Sequence, residues 1–349
     1  MKILSKFDRK KHFYIKNMVE YTWRYYMKVT ILGAGAYALA LSHIIDKNGH
    51  DITIWTKFEK ERDELERKRT NDGKLKNYKI SGNIKITNDL KESTKNKDLI
   101  IIAVPAKNFR ETVKEMRISK KTHICIATKG IEQNTNMFMT NILKKYIHTK
   151  NYGVISGGSF AEDIVKDCPI GLTLGTKNKE TEKIIKKALI NRTTKLRETK
   201  DIKGTMICGS VKNVIAILSG IMHGMNMPAS AISLFLTESL NDVRELVFLL
   251  GGNKKTILSF AGFGDLYLTC TSSKSRNFTL GKLIGEDYDK EHIDNYIENT
   301  TIEGLYTLKS IYDLTKKKKI NVPIINLIYE IVTGKKDKNI LLDFLICKE

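Results

Sequence analysis

The sequence predicts an α/β domain built on a doubly wound, mostly parallel sheet, followed by an all-α domain. Three observations carry that prediction. Short β-type runs alternate with helical stretches between residue 27 and about residue 200. One of them, residues 98–104, is apolar throughout after its leading Asp98, as a strand covered on both faces must be. Past Asp201 the strands disappear and long helical periods take over. At 349 residues the chain exceeds one ordinary core and suits two.

Residues 29–32 are the first strand. Gly33-Ala-Gly35-Ala-Tyr-Ala38 follows, and a helical period then runs to Asn48-Gly49. Residues 51–55 are the second strand, and the highly charged stretch 59–68 favours a helix. Residues 84–86 make a weak strand, while 123–127, 152–155 and 170–174 extend the series. In the second half, 211–223, 229–250, 302–315 and 323–332 read as helices, and 340–346 as a final packed one. No repeat of solenoid period is present.

Composition excludes several classes of protein. Charged residues are 28% and hydrophobic ones 41%, which rules out a disordered chain, and four prolines rule out Pro-rich low complexity. The formal charge of +21 comes mainly from dispersed lysines. No nucleic-acid partner is expected from it; a positive field that gathers small anionic substrates is. Five cysteines, odd in number and far apart, argue against a disulfide framework and for a reducing compartment, the cytoplasm. Seven histidines form no metal-binding pattern, so no metal is expected. Residues 213–237 lack any charge, but Gly224-Met-Asn-Met-Pro228 interrupts them. Two buried helices around a turn explain that stretch better than membrane insertion. Residues 1–26 form a basic extension with seven Lys/Arg against two acids. Either translation starts at Met27 (or Met18), the favoured reading, or a basic arm precedes the fold.

The glycine turn carries the first chemistry. Gly33-x-Gly35-x-x-Ala38 lies between a strand and a helix, as a dinucleotide-binding (Rossmann) turn requires. Gly33 permits the tight turn, Gly35 lets backbone approach a pyrophosphate, and Ala38 is small enough for close helix–strand packing. The helix N-terminus then offers unpaired N–H groups to phosphate. This assigns residues 27–200 to a dinucleotide-binding domain and 201–349 to a helical substrate-binding domain. Cofactor choice is read after the second strand, where an acid would favour a free ribose 2′-hydroxyl. Thr56-Lys57 stands there, and the strand's own acid, Asp51, lies at its opposite end. NADPH is therefore favoured over NADH, with Lys57 on the 2′-phosphate; a plain surface lysine is the alternative.

Seven segments in order now resemble one family: the turn above, Ala127-Thr-Lys129-Gly-Ile-Glu132, Ser156-Gly-Gly-Ser-Phe-Ala161, Val211-Lys212-Asn-Val214, Ala261-Gly-Phe-Gly-Asp265-Leu…Thr-Cys270, Ser275-Arg276-Asn277 and Ile302-Glu303-Gly304. Together they are similar to the bacterial-type NAD(P)-dependent glycerol-3-phosphate dehydrogenases, from Met27 to about Val332. The resemblance implies interconversion of dihydroxyacetone phosphate and sn-glycerol 3-phosphate, chiefly for phospholipid synthesis. It implies Lys212 as proton donor and acceptor. It places Lys129, Gly157, Ser159, Asp265, Ser275, Arg276 and Asn277 around the substrate. It puts Ala36, Tyr37, Lys129, Ala161, Arg276 and Glu303 against the cofactor. A homodimer is expected.

The chemistry suits these residues. Hydride reduction of a ketone leaves an alkoxide to protonate, and a buried lysine beside a second cation has a pKa low enough to serve in both directions. Lys212 lies on an otherwise apolar helix, Lys129 at a strand's carboxyl end, and Asp265 in an apolar loop where it could orient the lysine. A snorkelling or surface charge is the bland alternative for each. Ser275-Arg276-Asn277 opens a short helix, a natural oxyanion site; a plain Ser cap would leave the Arg-Asn pair unexplained. A dehydrogenase of hydroxy acids or sugar acids would have no reason for that turn. Four departures from the family pattern stand out. Ala36, Tyr37 and Ala38 replace Ser-Trp-Gly, which is expected to weaken cofactor binding modestly. Gly158 replaces Pro and is expected to loosen its loop. Ser210 replaces Ala, and Glu238 replaces Arg. No departure removes a group assigned to proton transfer or phosphate binding, so an active enzyme is expected.

Overall fold

A computed structural model describes residues 26–348; the basic extension lies outside them but for Tyr26. Among the described residues ten strands occur in chain order: β1 (Lys28–Leu32), β2 (Asp51–Trp55), β3 (Thr70–Asn71), β4 (Leu75–Lys79), β5 (Lys85–Thr87), β6 (Leu99–Ile102), β7 (His123–Ile126), β8 (Tyr152–Ser156), β9 (Ile170–Thr176) and β10 (Thr194–Thr199). Eight of them build one sheet in the order β10-β9-β8-β7-β6-β1-β2-β5. Its pairings are parallel except β8–β9. The central β6 is buried along its whole length, as its unbroken apolar run requires.

Helices α1 (Ala36–Lys47), α2 (Glu59–Lys68), α3 (Leu90–Thr94), α4 (Ala106–Glu115), α5 (Met139–Tyr146), α6 (Ala161–Val165) and α7 (Lys179–Leu189) accompany the sheet. Apolar clusters fill both of its faces. Two features were not foreseen. The hairpin β3–β4 follows α2, and β10 adds an edge strand. Strand β10 alternates buried and exposed residues through Leu196 and Arg197, and its polar sequence Thr-Lys-Leu-Arg-Glu-Thr hides it from an apolar-run criterion.

The second half is helical: α8 (Ile202–Gly224), α9 (Ala229–Leu249), α10 (Asp265–Cys270), α11 (Arg276–Gly285), α12 (Lys290–Asn299), α13 (Glu303–Lys318), α14 (Pro323–Val332) and α15 (Leu341–Cys347). All of α8 except Lys203 and His223 is buried. It is long and apolar enough to cross a membrane, yet its apolar window lies wholly inside the protein. The chain breaks at Met225–Pro228 as the sequence implied, but α9 then buries one face only and leaves Phe248 and Leu249 exposed.

Helix α11 runs alongside α8 in the same direction with almost no space between them. A Cβ on Gly220 would lie 2.0 Å from the Phe278 carbonyl oxygen, and one on Gly281 would lie 1.9 Å from that of Ile217. Since Gly281 faces Ile217, one turn earlier Asn277 faces Asn213, beside Lys212. Gly304 confirms the register, because a Cβ there would touch both the Asn277 amide oxygen and the Asn213 carbonyl.

The acid at position 238 finds its cation at the far end of the chain. Lys348 pairs with Glu238 by a hydrogen bond of 2.6 Å and with Asp242 at 3.1 Å. Asp242 in turn accepts the Ile324 N–H. Gly220→Ala is expected to destabilise the protein by about 1–3 kcal/mol, the usual cost of overpacking, as a lower urea midpoint with an unchanged slope.

Candidate active site

Gly33 has φ +116°, and a Cβ there would lie 2.9 Å from the Ala103 carbonyl oxygen, so only glycine fits. Gly35 is different. Its φ is ordinary and a Cβ would meet nothing within 4 Å. It borders open space at the start of α1, which no side chain caps. The free N–H groups of Ala36, Tyr37 and the buried Ala38 therefore fit a pyrophosphate.

The end of β2 holds a carboxylate after all. Glu61 folds back from α2 and accepts a hydrogen bond from the Thr56 hydroxyl. Its other oxygen accepts from Asn71 at 2.9 Å, and Asn71 also donates to the Ala34 carbonyl at 3.2 Å. Asp51 gave no sign of it, because Glu61 reaches the strand end only once residues 59–68 are helical. Lys57 is exposed and makes no ion pair among the described residues.

The second cluster centres on Asp265, 1% exposed at the start of α10. One carboxylate oxygen accepts from Lys212, which is 8% exposed on α8. The other accepts from Lys129 at 2.9 Å and from the Ser156 hydroxyl at 3.2 Å. Lys212 also donates to Thr269 at 3.0 Å, one turn beyond Asp265 on the same helix. Burial, and then the Lys129 ammonium, lower the Lys212 pKa from 10.5 to about 8 against the pull of Asp265. For Lys129 burial works the same way, but Asp265 outweighs it and holds that amine cationic, with a raised pKa. Two lysines share one carboxylate, and Lys212 is the one poised to lose its proton.

Tyr37 lies beside this cluster, with its ring centre 5.7 Å from the Lys129 amine. Its hydroxyl is buried and makes no hydrogen bond, as does the Ser159 hydroxyl. Burial pushes the Tyr37 phenol up to about 12. Gly157 packs on the Gly171 carbonyl of β9. A Cβ on Gly158 would lie 2.7 Å from the Gly264 carbonyl, so this loop is pressed against the Asp265 turn and is not loosened by its glycine. Ala161 opens α6 without polar contact to the other residues.

The third group is the α11 start. Ser275 caps the helix by accepting the Phe278 N–H at 3.3 Å. Asn277 accepts the Gly304 N–H at 2.9 Å and ties this turn to α13. Arg276 is exposed and has no ion pair among the described residues. Glu303 accepts from Asn213, the neighbour of Lys212, at 3.4 Å. Glu303 and Lys129 both line a cavity of about 380 Å³ between the two halves. Thr269, Asn213, Ser156 and Ser210 were not singled out as site groups by the sequence reading. The Ser210 hydroxyl accepts the N–H of Gly130 (φ +114°) at 3.0 Å, so the serine that replaces alanine fastens α8 to the Lys129 turn.

Comparison with known proteins shows the family. Residues 28–182 match the model for the N-terminus of NAD-dependent glycerol-3-phosphate dehydrogenase, and residues 201–343 match that for its C-terminus. Glycerol-3-phosphate dehydrogenase [NAD(P)+] of Staphylococcus epidermidis is 34% identical over 311 residues, 87% of this chain and 93% of that one. The enzyme of the same name from Fusobacterium nucleatum is 33% identical over 317 residues, covering 89% and 94%. The crystal structure of glycerol-3-phosphate dehydrogenase from Coxiella burnetii superposes with a TM-score of 0.86 at 29% identity, over 93% of this chain and 99% of that one. A nucleotide turn, a buried lysine pair on one carboxylate and a helical half with these two family matches place the chain in the NAD-dependent glycerol-3-phosphate dehydrogenase family, a family of NAD(P)-dependent oxidoreductases.

Proposed function

We propose that the chain reversibly reduces dihydroxyacetone phosphate to sn-glycerol 3-phosphate, with Lys212 as general acid and base. The observation that carries this reading is the buried Lys212 amine, held by Asp265 and depressed by Lys129. A bound nicotinamide dinucleotide supplies or removes the hydride. As the carbonyl carbon gains hydride, its oxygen takes the π electron pair, and the Lys212 ammonium gives that oxygen a proton. In the reverse direction neutral Lys212 takes the hydroxyl proton. Lys129 stays cationic and stabilises the oxyanion, while Asp265 orients both amines.

The phosphate belongs at the α11 start, where Ser275, Arg276 and Asn277 meet the helix N-terminus and Arg276 has no competing partner. Gly157 and Ser159 border the substrate. Gly33, Gly35, Ala36, Tyr37, Ala38, Ala161 and Glu303 border the cofactor. Supply of glycerol 3-phosphate for phospholipid synthesis, in the cytoplasm, completes the reading, and the buried free thiols of Cys125, Cys208 and Cys270 suit a reducing compartment. A homodimer would cover exposed Phe248, Leu249 and Leu258.

Loss of reduced-nicotinamide absorbance on adding dihydroxyacetone phosphate tests the activity directly. Lys212→Ala is expected to lower turnover at least about a hundredfold while dinucleotide binding stays near normal; near-normal turnover would refute the assignment. Ketone reduction needs protonated Lys212, so its rate should fall as pH rises through about 8, whereas glycerol 3-phosphate oxidation should rise there. Asp265 favours the charged amine, so Asp265→Asn should move both inflections to lower pH. Arg276→Ala should weaken phosphate-bearing ligands by about 1.5–3 kcal/mol and spare unphosphorylated analogues.

A further inference from the structure

Glu61 has no part in the proton chemistry, yet its placement is costly to explain as packing alone. The carboxylate is fixed on two sides, by the Thr56 hydroxyl at the end of β2 and by Asn71, which also grips the Ala34 carbonyl inside the glycine turn. It therefore stands between the strand end and the phosphate cradle, at the carboxyl edge of the sheet. Asp51 is at the opposite end of β2, in ion pair with Lys85 at 3.7 Å. No cation neutralises Glu61 among the described residues. The guanidinium next to it in sequence, Arg62, is committed to Glu59, Asp63 and Asn88.

We propose that Glu61 sets the cofactor preference, accepting a hydrogen bond from an unphosphorylated adenosine ribose and repelling a 2′-phosphate, so that the chain favours NADH over NADPH. The inference rests on the dehydrogenase reading and deepens it at the adenosine end. Two residues of the sequence argument for NADPH change meaning. The Thr56 hydroxyl proton is already given to Glu61, so it cannot serve a phosphate oxygen. Lys57 carries its charge in solvent, where screening weakens it, whereas the Glu61 carboxylate is partly buried and immobile. A fixed acceptor at this position matches a ribose hydroxyl, which donates, and not a phosphate, which only accepts.

Calorimetric titration of the full chain with NADH, NADPH, adenosine 5′-monophosphate and adenosine 2′,5′-bisphosphate tests this without turnover. The unmodified protein should bind NADH about tenfold or more tightly than NADPH, as expected for a hydrogen bond to a charged group. Glu61→Gln keeps the side-chain size and an acceptor for Thr56. It should shrink the ratio about tenfold, mostly by tightening NADPH, with the same trend in the two adenosine fragments. An unmodified protein that prefers NADPH overturns the inference. So does a Gln variant in which both cofactors weaken equally or the ratio stays put, since Glu61 then only braces α2. Failure of the unmodified protein to bind either dinucleotide would overturn the dehydrogenase reading along with it.

Discussion

The site depends on one buried carboxylate shared by two amines. Asp265 joins Lys129, from the sheet, to Lys212, from α8, so the same contact fixes the halves and holds both amines in place. Removing one partner from such a buried cluster leaves an unpaired charge, at a typical cost of several kcal/mol. The cluster also carries one positive charge in excess while both lysines are protonated. That excess suits an anionic substrate, and with burial it lowers the pKa of the more enclosed amine, Lys212.

Helix α8 delivers this arrangement because, apart from Lys203 and His223, all of it is buried. A lysine on such a helix has no route for its amine to snorkel out, so it must find a carboxylate inside. The helix also sets the second half of the site. Its glycine contact with α11 brings Asn277 opposite Asn213, and Gly304 fits between them only because it has no side chain. The Lys212 and Ser275–Asn277 segments are thus linked by backbone register, and a change in helix spacing would displace both at once.

Much of this was legible because it is local. The all-apolar run of β6, the Gly33–Gly35 turn and the break at Met225–Pro228 each write their cause into adjacent residues. The hairpin β3–β4 was missed since a two-residue strand has no period to read, and β10 because an edge strand need not be apolar. Long-range partners left less trace. Nothing near Glu238 announces Lys348, and nothing near Thr56 announces that Glu61 will return to it. The Ser-Arg-Asn turn was read as one anion site. Beyond that reading, Ser275 caps the helix, Asn277 accepts the Gly304 N–H and Arg276 stays without an ion pair among the described residues.

The departures from the family pattern obey the same logic of compensation. An acid at 238 would repel buried Asp242, and Lys348 sits between the two carboxylates to prevent it. Ser210 adds a bond to the Gly130 N–H where an alanine could make none, and so steadies the turn that presents Lys129. Gly158 lacks proline's stiffness but admits a backbone approach to Gly264 that a Cβ would block, so contact replaces rigidity in holding that loop. Tyr37 is the exception. Its ring supports Lys129 as an aromatic at this position should, but its hydroxyl and that of Ser159 are buried with nothing to bond. Buried hydroxyls left unpaired are costly, so Tyr37 keeps the aromatic surface of this position at the expense of an unsatisfied hydroxyl.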